Sequence, residues 1–111
     1  MITIDEIYMG IAEHLTSQLN EKWKECKIDA EFLEDAAELN VTYINANGQG
    51  FDLEGGYNLF KLFKELHSIT TENSGNKWNR AKFTLEPTGK FNMEFEWDQA
   101  LFDEIERLNN E

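Results

Sequence analysis

Residues 78–97 read WNRAKFTLEPTGKFNMEFEW, and this stretch decides the fold. Ala81, Phe83 and Leu85 alternate with Arg80, Lys82 and Thr84, and Phe91, Met93 and Phe95 alternate with Asn92, Glu94 and Glu96. A period of two marks a strand with one face in the core and the other in water. Pro87, Thr88 and Gly89 separate the two runs. Pro presets the first corner of a type I turn and Gly suits the left-handed position after it, which predicts a three-residue hairpin loop with a bulge. That loop pins the register, opposing Arg80 to Glu96, Lys82 to Glu94, Thr84 to Asn92 and Glu86 to Lys90. Three of these four pairs join opposite charges, so this face is expected to be solvated and its register specified. Phe91, Met93 and Phe95 are then expected in the core with Phe83. Asp98 follows as the N-cap of a last helix carrying Leu101, Phe102, Ile105 and Leu108.

Working back from this hairpin, Leu59, Phe60, Leu62, Phe63, Leu66 and Ile69 recur at helical spacing and predict a helix from Tyr57 to about Thr71. The segment from Glu72 to Lys77 has the composition of a loop that ends it. Further back, Cys26, Ile28, Ala30 and Phe32 alternate with Lys27, Asp29 and Glu31, and after an acidic turn at Glu34 and Asp35 a second alternation places Leu39, Val41 and Tyr43 on one face. These runs predict a second antiparallel hairpin. Asn47 and Gly48 supply a turn into a short third strand between Gly50 and Leu53, before the break at Gly55 and Gly56. At the start, Thr3 with Glu6 is a capping box, and Ile4, Ile7, Ile11, Leu15 and Leu19 predict a helix from about Ile4 to Asn20, with Trp23 packed near its end.

The order is helix, hairpin or three-strand meander, helix, hairpin, helix. Strands that follow one another with short connections, without alternating singly with helices, indicate the α+β class. The expected architecture is a single antiparallel sheet of four to five strands with helices packed on it. With 111 residues the chain is expected to form one domain over residues 1–111. Such a chain leaves roughly 6,000 Å² exposed out of about 19,000 Å² when unfolded, enough burial for a core without disulfides.

Twenty-two Asp and Glu against ten Lys and Arg give a net charge of -12. Phosphates and anionic lipid surfaces are repelled within a Debye length, so nucleic acid and membranes are poor partners, while a basic protein is steered in. The first ten residues carry Asp5 and Glu6 and no basic and apolar leader pattern, so the chain is expected to stay in the cytoplasm. Cys26 is the only cysteine, which excludes an intrachain disulfide and a cysteine-based zinc site. His14 and His67 are the only histidines and read as surface helix residues without metal-ligand spacing. The glycines between Asn47 and Gly56 are followed by no lysine and accompany Asp52 and Glu54, which would repel phosphate. No nucleophile, base or metal set emerges. The chain is therefore expected to be a binding protein, not an enzyme, with no cofactor.

Carboxylates are concentrated around the first hairpin, where Asp29, Glu31, Glu34, Asp35 and Glu38 fall within ten positions. Their mutual repulsion is a cost that a cationic partner relieves. Asp29, Glu31, Glu34 and Asp35, with Asp52 and Glu54 in the following loop, form the candidate partner-binding set.

The second hairpin also carries a resemblance. Trp78, then Phe83, Thr84 and Leu85, then Gly89, Lys90 and Phe91, then Met93, Phe95, Trp97 and Asp98 are similar to the pattern of the YezG-like family of bacterial immunity proteins, with Tyr8 and Trp23 matching its early helix and the tryptophan after it. The resemblance implies that the chain binds and neutralises a cognate polymorphic toxin, often a nuclease domain delivered between competing bacteria by contact-dependent or secretion machinery. Since no catalytic set is present, neutralisation is expected by one-to-one stoichiometric occlusion, with no homo-oligomer required. A non-catalytic acidic adaptor or protein-interaction module is the alternative, and it would be marked by an exposed apolar stripe and self-association.

Overall fold

A computed structural model describes residues 2–33, 36–72 and 77–110. The expected turn acids Glu34 and Asp35, and the loop residues Asn73, Ser74, Gly75 and Asn76, lie outside these residues. The chain runs α1 (Ile4–Thr16), β1 (Trp23–Leu33), β2 (Ala36–Asn45), β3 (Gly50–Asp52), α2 (Gly56–Thr71), β4 (Arg80–Leu85), β5 (Phe91–Glu96) and α3 (Gln99–Asn109). Among the described residues, five strands form one antiparallel sheet in the order β3-β2-β1-β4-β5. This is the expected α+β architecture.

The expected cross-strand pairs of the second hairpin are present, with Arg80 opposite Glu96, Lys82 opposite Glu94 and Thr84 opposite Asn92. The Glu86 amide donates to the Lys90 carbonyl at 2.8 Å and the Gly89 amide to the Glu86 carbonyl at 2.9 Å. Gly89 has φ 91°, the left-handed conformation that closes a three-residue loop and that a side chain would strain.

One face of the sheet is covered. Cys26, Ile28, Ala30 and Phe32 of β1, Val41 of β2, and Ala81, Phe83 and Leu85 of β4 are buried against Ile7, Ile11 and Leu15 of α1 and Leu59, Phe63 and Leu66 of α2. Gly10 brings the helices together, since a Cβ there would sit 3.2 Å from Leu62 side-chain carbons. Among the described residues no helix is layered over the other face, and the accessible surface is 7393 Å², above the roughly 6,000 Å² of a compact chain this size.

Several expectations are corrected by where the cover ends. Phe91, Met93 and Phe95 point to the helix side as read, but β5 is the outermost strand and the helices sit over the central ones. Phe91 packs on Tyr8 and Phe83 and Phe95 packs on Trp78, yet Phe91 is 47% and Phe95 41% exposed and Met93 is only partly buried. Helix α3 has the expected N-cap and apolar stripe but buries no residue, so among the described residues α1 and α2 supply the helical layer on the sheet. Helix α1 stops at Thr16 rather than Asn20, because the Ser17 hydroxyl turns back to the His14 carbonyl and the Gln18 side chain is taken by the backbone of Glu54. The first strand begins earlier than its clean alternation, at Trp23, through a register shift between Trp23 and Glu25 that hides the period.

The histidines are likewise more than surface residues. His67 stacks on Phe32 with ring centres 4.6 Å apart and lies 2.9 Å, through Nε2, from the Trp78 carbonyl. His14 Nε2 lies 2.9 Å from the Glu54 carbonyl. Each ring nitrogen donates to a backbone carbonyl and so ties a helix to a loop. Cys26 is fully buried, as a small apolar residue should be.

Candidate functional site: the open face of the sheet

The uncovered face follows from strand alternation. Since Ile28 and Ala30 face the core, Lys27, Asp29 and Glu31 project to the other side, and the pairings extend these positions across the sheet. One row crosses Glu38, Glu31, Arg80 and Glu96. The next crosses Asn40, Asp29, Lys82 and Glu94, and a third contains Asp52, Thr42, Lys27, Thr84 and Asn92. Within these three rows, six carboxylates, those of Asp29, Glu31, Glu38, Asp52, Glu94 and Glu96, thus share a face with three cations, Lys27, Arg80 and Lys82. An open depression of about 860 Å³ lies over Asp29, Glu31, Arg80, Lys82 and Glu94.

Arg80 organises one end of this face. Its guanidinium is paired with Glu31 and donates from Nε to Asp98 Oδ2 at 2.7 Å. These two carboxylates hold its pKa above the usual arginine value, the Asp98 hydrogen bond contributing most. Asp98 in turn accepts the Leu101 amide at 3.1 Å as the N-cap of α3. Asn79, which is buried, donates from its amide nitrogen to the Asp98 carbonyl at 2.9 Å and accepts the Asp98 amide at 2.7 Å. The root of α3 is therefore clasped to the acidic face although the helix itself buries no residue.

The Arg80 hydrogen bond, followed by the Leu101 amide, holds the Asp98 carboxyl below the usual aspartate range. An acid whose folded pKa is depressed contributes stability that is full above its unfolded pKa, about 3.9, and is lost as pH falls toward the folded value. The clasp is therefore expected to hold at neutral pH and to loosen only on acidification below the usual aspartate range. An Asp98→Asn chain keeps a cap acceptor but loses the charge, so the pH dependence of the α3 amide signals between neutral and acid pH is expected to shrink in it. An identical acid transition in both chains would show that Asp98 does not control it.

The candidate set is divided by the structure. Asp29, Glu31 and Asp52 share the open face, and Asp29 and Asp52 are exposed. Glu31 is partly covered by its pairing with Arg80, so it is not a free charge. Glu54 is elsewhere: its backbone is bonded to His14 and Gln18, which carries it round to the end of α1 on the helix side. Glu34 and Asp35 are outside the described residues. Conversely, Glu38, Glu94 and Glu96 join Asp29 and Glu31, which alternation places on a solvated face but which only the long-range pairing of β1 with β4 brings together. Glu31 and Glu38 are directly opposite, a like-charge pair that costs stability unless a cation intervenes. Arg80 supplies one to Glu31 and leaves Glu38 exposed.

What this face offers is charge. Burial pushes the Cys26 thiol up to about 11, with the Glu25 charge adding to it, so little thiolate exists at neutral pH. Among the described residues no group of three or more His, Cys, Asp and Glu could hold a metal ion. No helix among them is long and apolar enough to cross a membrane.

Residues 47–111 match the family described as Immunity protein YezG-like. The chain belongs to the YezG-like immunity protein family. It is also 22% identical to Immunity protein YezG of Bacillus subtilis (strain 168), over 93% of this chain and 79% of that protein. The YezG-like signature in the second hairpin is accounted for by folding. Trp78 is buried between Phe32, His67 and Phe95 and donates from Nε1 to Thr70 at 2.8 Å, Phe83 and Leu85 are core, Gly89 closes the turn and Asp98 caps α3. Asp29 and Glu31 lie before the matched stretch of this YezG-like chain.

Proposed function

We propose that the chain is a non-catalytic inhibitor that binds and neutralises its cognate toxin one to one in the cytoplasm. The toxin is proposed to be a basic nuclease domain, acting on RNA or DNA, delivered in interbacterial competition such as contact-dependent growth inhibition. The observation that carries this reading, beyond the family, is the open acidic face on which Asp29, Asp52, Glu38, Glu94 and Glu96 are exposed. A nuclease gathers its substrate's phosphates with Lys and Arg, and the same side chains are attracted to a carboxylate array that then excludes nucleic acid. Asp29, Glu31 and Asp52 on this face, together with Glu34 and Asp35, which lie outside the described residues, are the proposed contacts; Glu54, on the helix side, is at most peripheral.

Binding without turnover has a definite endpoint. Titrating the purified chain into the toxin is expected to remove all nuclease activity at a ratio of about one, the stoichiometry of occlusion. Complete protection at a small fraction of that ratio would mean catalysis, and no protection at any ratio would mean that the acidic face serves another partner.

A further inference from the structure

The sheet ends differently on its two sides. β3 is three residues long, whereas β5 runs for six and no described strand lies beyond it. The Glu86 amide bonded to the Lys90 carbonyl sets the phase of the hairpin, so that Asn92 and Glu94 bond toward β4 and the amides of Phe91, Met93 and Phe95 point out of the sheet. Half-exposed Phe91 and Phe95 flank this free edge on the helix side, while Glu94 and Glu96 flank it on the acidic side.

A long apolar edge is an invitation to pairing, and single chains usually blunt it with lysine, proline or a bulge. Within β5 there is none of these; its only charges are Glu94 and Glu96. Those two carboxylates determine the occupant. A second copy of this chain would bring acidic strands together, each carried by a molecule of net charge -12. A strand with Lys or Arg at alternate positions meets Glu94 and Glu96 with the opposite charge, and its intervening apolar residues cover Phe91 and Phe95.

We propose that β5 is an acceptor edge: a strand of the toxin, alternating basic and apolar residues, adds to it and extends the five-stranded sheet to a sixth strand. The inference rests on the immunity reading and specifies which backbone the toxin engages. The amides of Phe91, Met93 and Phe95 become donors to the toxin strand, while the β4–β5 ladder is unchanged.

The test is amide hydrogen exchange on the full chain, alone and saturated with the toxin domain against which it protects in the titration above. The amides of Phe91, Met93 and Phe95 are expected to exchange rapidly in the free chain and at least about tenfold more slowly in the complex, as newly bonded amides do. In parallel, Met93→Pro, which removes an amide the sheet does not use, is expected to leave the chain folded and to weaken the complex by about tenfold or more. A complex in which these three amides stay unprotected, or an undiminished affinity of folded Met93→Pro, overturns the acceptor edge while leaving the immunity reading intact. Protection in the chain alone, with dimers in solution, overturns it in favour of self-pairing. Failure of any complex to form removes the immunity reading itself.

Discussion

Reversing two exposed carboxylates, Asp29→Lys with Asp52→Lys, is expected to weaken the complex with the toxin by about 100- to 1,000-fold, or roughly 3–4 kcal/mol, while the chain stays folded. Both side chains lie on the open face, so each reversal removes an attraction and adds a repulsion toward a basic partner. Exposed surface charges change stability little, usually within about 0.5 kcal/mol, although a lysine at 29 will face Lys82 and lose some tenths more. The comparison avoids Glu31 because its pairing with Arg80 makes it part of the clasp under α3, where reversal would cost stability together with affinity. Calorimetric titration and urea unfolding of the double variant separate the two effects. A folded variant with unchanged affinity would move the interface off Asp29 and Asp52.

The second large effect is on stability. Phe83→Ala is expected to cost about 3–5 kcal/mol, since Phe83 is fully buried in the centre of the layer between β4 and the helices and its removal leaves a cavity. That approaches the whole stability of a domain this size. Phe91→Ala and Phe95→Ala are expected to cost less, about 1–2 kcal/mol each, because roughly half of each ring is already in water. Urea unfolding midpoints of the three variants give the ranking. Equal losses at 83 and 91 would mean that the edge strand is covered after all.

This contrast shows what the chain discloses about its own fold and what it withholds. The alternation around Phe83 and around Phe91 is the same, and so is the helical periodicity of α2 and α3. Local pattern assigns a residue to a face; whether anything covers that face depends on strand order. β1 becomes central because it pairs with β2 on one side and, across some fifty residues of chain, with β4 on the other. No short-range signal records that pairing. The hairpin register is legible because turn chemistry and three charge pairs agree on it, and the capping box at Thr3 for a similar reason: the partners belong to one hairpin or one helical turn.

The candidate site divides along the same line. Asp29 and Glu31 reach the open face by alternation alone, whereas Glu54 leaves it because the direction of the chain after Asp52 is set by His14 and Gln18, forty and thirty-six positions away. Glu94 and Glu96 belong to the acidic face only through the β1–β4 and β4–β5 ladders. Arg80 likewise reads as one member of a cross-strand pair with Glu96, yet it bonds to Glu31 and Asp98 instead. A long guanidinium chooses among the acids within reach, and the shape of the sheet decides which those are.

The central claim, that an acidic face captures a basic toxin, is tested most directly by the salt dependence of association. In stopped-flow mixing of wild-type chain with toxin, the association rate is expected to fall steeply as ionic strength rises and the Debye length shrinks from about 30 Å at 0.01 M to about 8 Å at 0.15 M. The Asp29→Lys, Asp52→Lys chain is expected to show a slower rate and a flatter slope. A wild-type association rate that is indifferent to salt in a chain that binds and protects would contradict electrostatic capture by this face.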